Sequence, residues 1–137
     1  MKIAPDLSKA ELEEMASIFL AEKIDGIIAT NTSSGRHGIE NSMLASQTGG
    51  LSGKPLKTLA TQIIHQLSPL LKNQIPIIGC GGIFSGCDAQ EKIEAGARLV
   101  QLYTGLIYQG PGLIEECVKQ IQTYTHVPIQ KKGESFS

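Results

Sequence analysis

Ile75-Pro76-Ile77-Ile78-Gly79-Cys80-Gly81-Gly82-Ile83 is a short apolar run that ends in three glycines within four positions and gives way to helix-opening residues. It reads as a buried strand whose C-terminal end runs into a turn of nearly bare backbone. Such a turn lets a phosphate approach, because backbone N–H groups at a loop and a helix start form an anion site; an ordinary αβ turn is the plainer alternative. The dinucleotide fingerprint G-x-G-x-x-G is not met, since Phe84 stands where its third glycine belongs, and a Rossmann reading is set aside.

Outward from this strand the chain reads as repeated βα units. Lys2-Ile3 opens a strand, and Ser8 is placed to cap a helix reaching about Lys23, with Leu12, Met15, Ala16, Phe19 and Leu20 on one face. Asp25-Gly26 breaks the chain before the strand Ile27-Ile28-Ala29-Thr30, which ends in the polar run Asn31-Thr32-Ser33-Ser34. Residues 35–53 lack periodicity and are rich in Gly, Ser and Asn, so they predict a long loop serving a site. Pro55 fits the first turn of a helix carrying Leu59, Ile63, Ile64 and Leu67, which Pro69 kinks or interrupts before Lys72. After the strand from Ile75 to Gly79, Ser85 or Asp88 caps a helix through Glu94, and Leu99–Tyr103 is the fourth strand. A short turn and Gly110-Pro111-Gly112 precede a last amphipathic helix with Leu113, Ile114, Cys117, Val118 and Ile121; Tyr103 is expected to pack through its ring. The tail 126–137 is polar and aperiodic.

No hairpin signal occurs, and parallel βα units can begin either a doubly wound sheet or a (β/α)₈ barrel. Candidate site residues fall at strand C-terminal ends, and two successive late strands end in glycine-bearing turns, as barrel phosphate sites do. Barrel is therefore preferred. A full barrel takes ~250 residues, so the 137 residues are expected to hold the C-terminal half, the last four βα units over 1–125.

Composition narrows the function. A net charge of −1 and 4% aromatic residues give no basis for nucleic-acid binding. No apolar run approaches the ~20 residues that span a bilayer, and no signal peptide opens the chain, so a soluble intracellular protein is expected. Cys80, Cys87 and Cys117 form no C-x-x-C pair, which argues for a reducing compartment and buried thiols at Cys80 and Cys117. His37, His65 and His126 have no ligand spacing around them, and metal binding is not expected.

Five stretches in order carry a resemblance: Lys2-Ile3-Ala4-Pro5-Asp6; Asp25-Gly26 with Ala29-Thr30-Asn31-Thr32; Thr48-Gly49-Gly50-Leu51-Ser52-Gly53; Pro76 to Ile83; and Leu99-Val100-Gln101-Leu102-Tyr103-Thr104. Together they resemble the C-terminal half of dihydroorotate dehydrogenases, and the K-I-A-P-D opening is most similar to the class 2, quinone-linked branch. The resemblance implies an FMN-containing (β/α)₈ barrel that oxidises dihydroorotate to orotate in pyrimidine (UMP) synthesis and passes electrons to quinone. It implies a parent peripheral on the cytoplasmic face of the inner membrane. By the same resemblance Lys2 lies beside the flavin ring, Thr30 contacts FMN, Asn31 and Thr32 bind the pyrimidine, and Gly53, Gly82, Tyr103 and Thr104 bind the FMN phosphate.

These roles are chemically coherent. A lysine beside a flavin stabilises the negative charge of its reduced form, and Asn31 offers both a donor and an acceptor to a pyrimidine edge. The family's catalytic base, a serine in this branch, belongs to an N-terminal half not present here, as do the helices that receive quinone. No catalytic residue is thus expected in this chain. Ser33 stands where threonine is commoner, and Cys80 where valine is usual. The bland readings are that Lys2 is a solvated terminal residue, that Asn31, Thr32 and Ser33 only cap or turn the chain, and that Gly49, Gly50 and Gly53 only punctuate a loop. The functional alternative is a non-catalytic phosphate- or nucleotide-binding half-barrel. In either case the open sheet edges at the first and fourth strands favour self-association.

Overall fold

The computed structural model describes residues 1–126. The tail expected at 126–137 lies outside them apart from His126, which ends the last helix. The elements alternate as β1 (Lys2–Ile3), α1 (Lys9–Ala21), β2 (Ile27–Ala29), α2 (Lys57–Leu70), β3 (Ile77–Cys80), α3 (Gly86–Glu94), β4 (Leu99–Gln101), α4 (Thr104–Gln109) and α5 (Gly112–His126). The four strands form one parallel sheet in sequence order, β1-β2-β3-β4. Sequential order of parallel strands, each followed by a helix, is the arrangement of a (β/α) barrel segment.

Register assigns the two faces. Ile3, Ala29, Gly79 and Val100 stand in one cross-strand row, and the first three are buried. This row faces the helices: a Cβ placed on Gly79 would meet Lys92 of α3, Ile64 of α2 and Ala97. The neighbouring row is Lys2, Ile28, Ile78 and Leu99, half-buried at its centre and exposed at both ends. Period-two alternation sends these side chains to the other face, so apolar residues lie on both faces but only one carries a helical layer. Leu99, at the β4 edge, is 62% exposed.

The main core joins Leu12, Ala16 and Phe19 of α1 and Ile63, Ile64 and Leu67 of α2 to Ile3, Ile27, Ala29 and Ile77 of the sheet. Each fully buried Leu or Ile stabilises the fold by about 1.5–3 kcal/mol. A second cluster sets Ala89 of α3 against Leu113 and Cys117 of α5, under Ile83. Cys80 and Cys117 are buried and Cys87 is exposed.

Local chemistry fixes the ends. Ser8 caps α1 in a reciprocal capping box with Glu11. Ser85 is the cap of α3, accepting from the Asp88 N–H, while the Asp88 carboxylate accepts from the Phe84 N–H. Of the two caps that were possible, Ser85 thus holds the position and Asp88 serves from the third residue. Pro69 lies inside the last turn of α2, which continues one residue beyond it to Leu70; proline removes only a bond near a helix end, where little remains to break. The short turn before the last helix is α4, a helix in its own right. No helix among the described residues is long and apolar enough to cross a membrane.

Candidate functional site

At the C-terminal ends of the strands lies a cavity of about 290 Å³ lined by Lys2, Thr30, Asn31, Thr32, Gly53, Gly82, Tyr103 and Thr104, together with Ser52, Cys80 and Gly81 among others. All eight residues expected from sequence to contact ligand therefore face one space, although they come from five separate stretches of chain. Among the described residues its walls contain one cation, Lys2, and no carboxylate.

The strands set the inner wall. Lys2 is on β1, on the face without helices, and its side chain is exposed. Thr30 directly follows β2, is 1% exposed, and its N–H donates to the Cys80 carbonyl. Its hydroxyl donates to the Asn31 carbonyl at 2.9 Å; the Ala29–Thr30 peptide is cis. Asn31 and Thr32 are exposed at the rim, with Asn31 Oδ1 accepting from the Thr32 N–H. That internal bond leaves the amide NH₂ of Asn31 as its outward donor. Burial pushes the Cys80 thiol up, against the pull of the Lys2 and Lys92 ammonium groups.

Glycines set the other walls. Gly53, Gly81 and Gly82 have φ of 81°, 115° and 70°, the left-handed region that a side chain disfavours. A Cβ on Gly82 would stand 2.4 Å from Lys57 Cα, so this residue lies flush on the start of α2. Across the cavity Thr104 opens α4, and its hydroxyl donates to Ser52 Oγ at 3.1 Å. The first N–H groups of a helix have no carbonyl one turn back to pair with, so this end of the cavity offers donors. Tyr103 precedes α4 and lines the cavity, but its ring is 76% exposed. The expected ring packing is not found, because β4 is the sheet edge and no strand among the described residues lies beside it.

The loop after β2 is organised by charge. Ser33 and Leu51 pair their backbones in an antiparallel bridge. Asp6 accepts from the Ser33 hydroxyl at 2.5 Å and the Ser34 N–H at 2.9 Å; burial opposes it, yet these donors hold its carboxyl below the ordinary value. Arg36 donates to five backbone carbonyls, those of Ser34, Gly35, Ala45, Gln47 and Gly49. Ser33, buried at 1% exposure, thus braces the loop rather than facing ligand. A short 3₁₀ turn at Met43–Ser46 breaks an otherwise irregular path. Neither Arg36 nor the bracing part of Asp6 was visible in the sequence, where a single arginine in a polar loop has no partner to point to.

A larger space of about 570 Å³ adjoins the first at Ser52, Gly53 and Thr104 and is lined by Arg36, Lys54, Phe84 and Tyr108. Its arginine already spends its donors on carbonyls, and Lys54 lies 5.3 Å over the Phe84 ring. Its cations are therefore partly engaged, whereas the smaller cavity gathers glycine turns, hydroxyls and Lys2 at strand ends. The smaller cavity is the better anion site.

A sequence model described as dihydroorotate dehydrogenase matches residues 1–124. The dihydroorotate dehydrogenase (quinone) of Shewanella sediminis is 52% identical over 119 residues, 87% of this chain and 35% of that protein. That of Haemophilus influenzae is 54% identical over 122 residues, 89% of this chain and 36% of that protein. The crystal structure of DHODH from Eimeria tenella in complex with ferulenol matches with a TM-score of 0.83 at 38% identity, covering 90% of this chain and 32% of that one. The chain thus spans about a third of the length of the curated relatives it matches. With its parallel βα units and a cavity at their C-terminal ends, the chain belongs to the dihydroorotate dehydrogenase family.

Proposed function

We propose that the cavity at the strand ends binds FMN and one edge of a pyrimidine, and that the chain supplies this part of an enzyme oxidising dihydroorotate to orotate with quinone as electron acceptor, in pyrimidine synthesis. The observation that carries the reading is the convergence of Lys2, Thr30, Asn31, Thr32, Gly53, Gly82, Tyr103 and Thr104 on one carboxylate-free cavity. FMN supplies the hydride acceptor. The rest is done by the chain. Backbone N–H groups at Gly53, Gly82, Tyr103 and Thr104 take a dianionic phosphate, which needs several donors at short range. Lys2, the cavity's one cation, stabilises negative charge on the flavin's pyrimidine edge, and the buried Thr30 fixes the floor beneath it. Asn31 and Thr32 at the rim orient the substrate by hydrogen bonds, with the Asn31 amide as donor.

Flavin titration tests this. The purified chain is expected to quench added FMN fluorescence, and Lys2→Met to weaken that binding by about tenfold, the scale of one charge-assisted contact of ~1.4 kcal/mol. No quenching by the unaltered chain, or equal affinity in Lys2→Met, would sink the reading.

A specific feature favours self-association of this chain as well. Among the described residues the sheet face bearing Ile28, Ile78 and Leu99 has no helical layer, and β1 and β4 are both edges; unpaired edges and an apolar face recruit a partner. Light scattering at micromolar concentration is expected to give a dimer or larger, and a well-behaved monomer would contradict it.

A further inference from the structure

Lys92 is the largest fully buried side chain among the described residues and sits at 0% exposure on α3. No carboxylate among the described residues forms an ion pair with its ammonium. Nζ donates instead to the Lys57 carbonyl at 3.0 Å and to Thr61 Oγ1 at 2.5 Å, and the Thr61 hydroxyl in turn donates to the same Lys57 carbonyl at 2.9 Å. Burying a cation without a charged partner is costly, and an apolar side chain would fill the same space. Its stem is accommodated by the absence of a side chain at Gly79, where a Cβ would stand 2.9 Å from Lys92 Cβ.

The residue it holds is a hub. Lys57 starts α2, and its backbone is the surface on which Gly82 lies. The Lys57 ammonium pairs with Asp88 at 2.6 Å and Glu91 at 2.9 Å, and these carboxylates raise its pKa, Asp88 first. Asp88 also accepts from the Phe84 N–H at 2.9 Å. Both ends of the turn 82–84 are thus tied to Lys57, at Gly82 through backbone contact and at Phe84 through Asp88. The Lys57 carbonyl is tied in turn to Lys92.

We propose that Lys92 is a positioning residue for the anion-binding turn: its buried ammonium fixes the Lys57 carbonyl, and with it the helix start that sets where Gly82 faces the cavity. The proposal rests on the reading of that cavity as a phosphate site. It adds a charge effect, because the ammonium is bonded to the carbonyl of the residue against which Gly82 lies. The charged groups around it are Lys57 from α2, Asp88 and Glu91 from its own helix, and the Cys80 thiol of β3. Burial pushes Lys92 down to about 8, while Lys57 is raised, Asp88 is lowered and Cys80 is raised. Lys92 is accordingly the member of the cluster that changes charge between pH 7 and 9. An anion in the cavity favours the protonated form, so by linkage deprotonation weakens the anion's binding.

The test measures FMN affinity at pH 7, 8 and 9 and amide exchange at residues 82–84, in the unaltered chain, Lys92→Met and Thr61→Val. In the unaltered chain FMN affinity is expected to fall about fivefold from pH 7 to 9, a coupling of ordinary size. In Lys92→Met it is weaker at pH 7 and flat with pH, and the turn amides exchange about tenfold faster while those of α1 keep their rate. Thr61→Val keeps the charge and removes only the hydroxyl link. It is expected to speed turn exchange and to keep the pH dependence, and it decides the matter if Lys92→Met does not fold. Unchanged turn exchange in the folded variants, or a pH dependence that persists in Lys92→Met, overturns the proposal. If the unaltered chain binds no FMN, the phosphate-site reading fails, and turn exchange alone then decides for or against Lys92.

Discussion

Alone, the 137-residue chain is expected to oxidise dihydroorotate about 10³-fold more slowly than a full-length relative, within the 10²–10⁴ that general acid–base catalysis contributes. The chain holds Lys2 beside the cavity and Asn31 and Thr32 at its rim, groups that can bind and stabilise. Two of the lining groups are poorly placed to remove a proton: the Thr30 hydroxyl donates to the Asn31 carbonyl, and the Cys80 thiol is pushed up by burial, away from thiolate. Supplying the other two-thirds of the Shewanella sediminis relative in the same cell is expected to restore turnover, read as orotate formation by absorbance. A full-length rate from the chain alone would mean that the base lies within these residues.

Gly82→Ala is expected to be strongly damaging in the cavity wall. The φ of 70° disfavours any Cβ, and the added methyl would stand within 2.5 Å of Lys57 Cα, Cβ and N, which are mostly backbone and cannot swing aside. Left-handed strain of about 1–2 kcal/mol adds to an overpacking cost of about 1–3 kcal/mol, so a loss of roughly 2–5 kcal/mol in unfolding free energy is expected by urea denaturation. Gly49→Ala is the matched control. Its φ of 105° is also left-handed, but no atom lies within 4 Å of the new Cβ, so only the conformational part is lost. Equal losses in the two variants would show that contact with Lys57 contributes nothing.

What could be read from the chain before its structure follows from how local each signal is. The strand around Ile77 and Ile78, the break at Asp25-Gly26 and the Ser8 cap are short-range patterns, and each lies within a few residues of where it was expected. The candidate residues come from the resemblance, and they line one cavity because parallel βα units carry every strand end to the same rim, where residues as distant as Lys2 and Thr104 meet. The supports were not legible. Lys92 reads as a solvated helix lysine, as most lysines are, although it lies three residues from both Ala89 and Ala95 on the buried stripe of its helix. Lys57 and Arg36 act through carbonyls and carboxylates of other segments, and no spacing in sequence reports those. Tyr103 was expected to pack because aromatic rings usually do, and an edge strand denied it a neighbour.

The Arg36 loop has a consequence for the energetics of ligand capture. Five carbonyls converge on one guanidinium and two donors on Asp6, so the two arms of the loop, residues 33–36 and 45–51, are tied to each other within the fold itself. Ordering a free segment of that length on binding would cost on the order of 1 kcal/mol per residue in conformational entropy. For the two tied arms that ordering belongs to folding, and a ligand meeting them is expected to owe little of this cost.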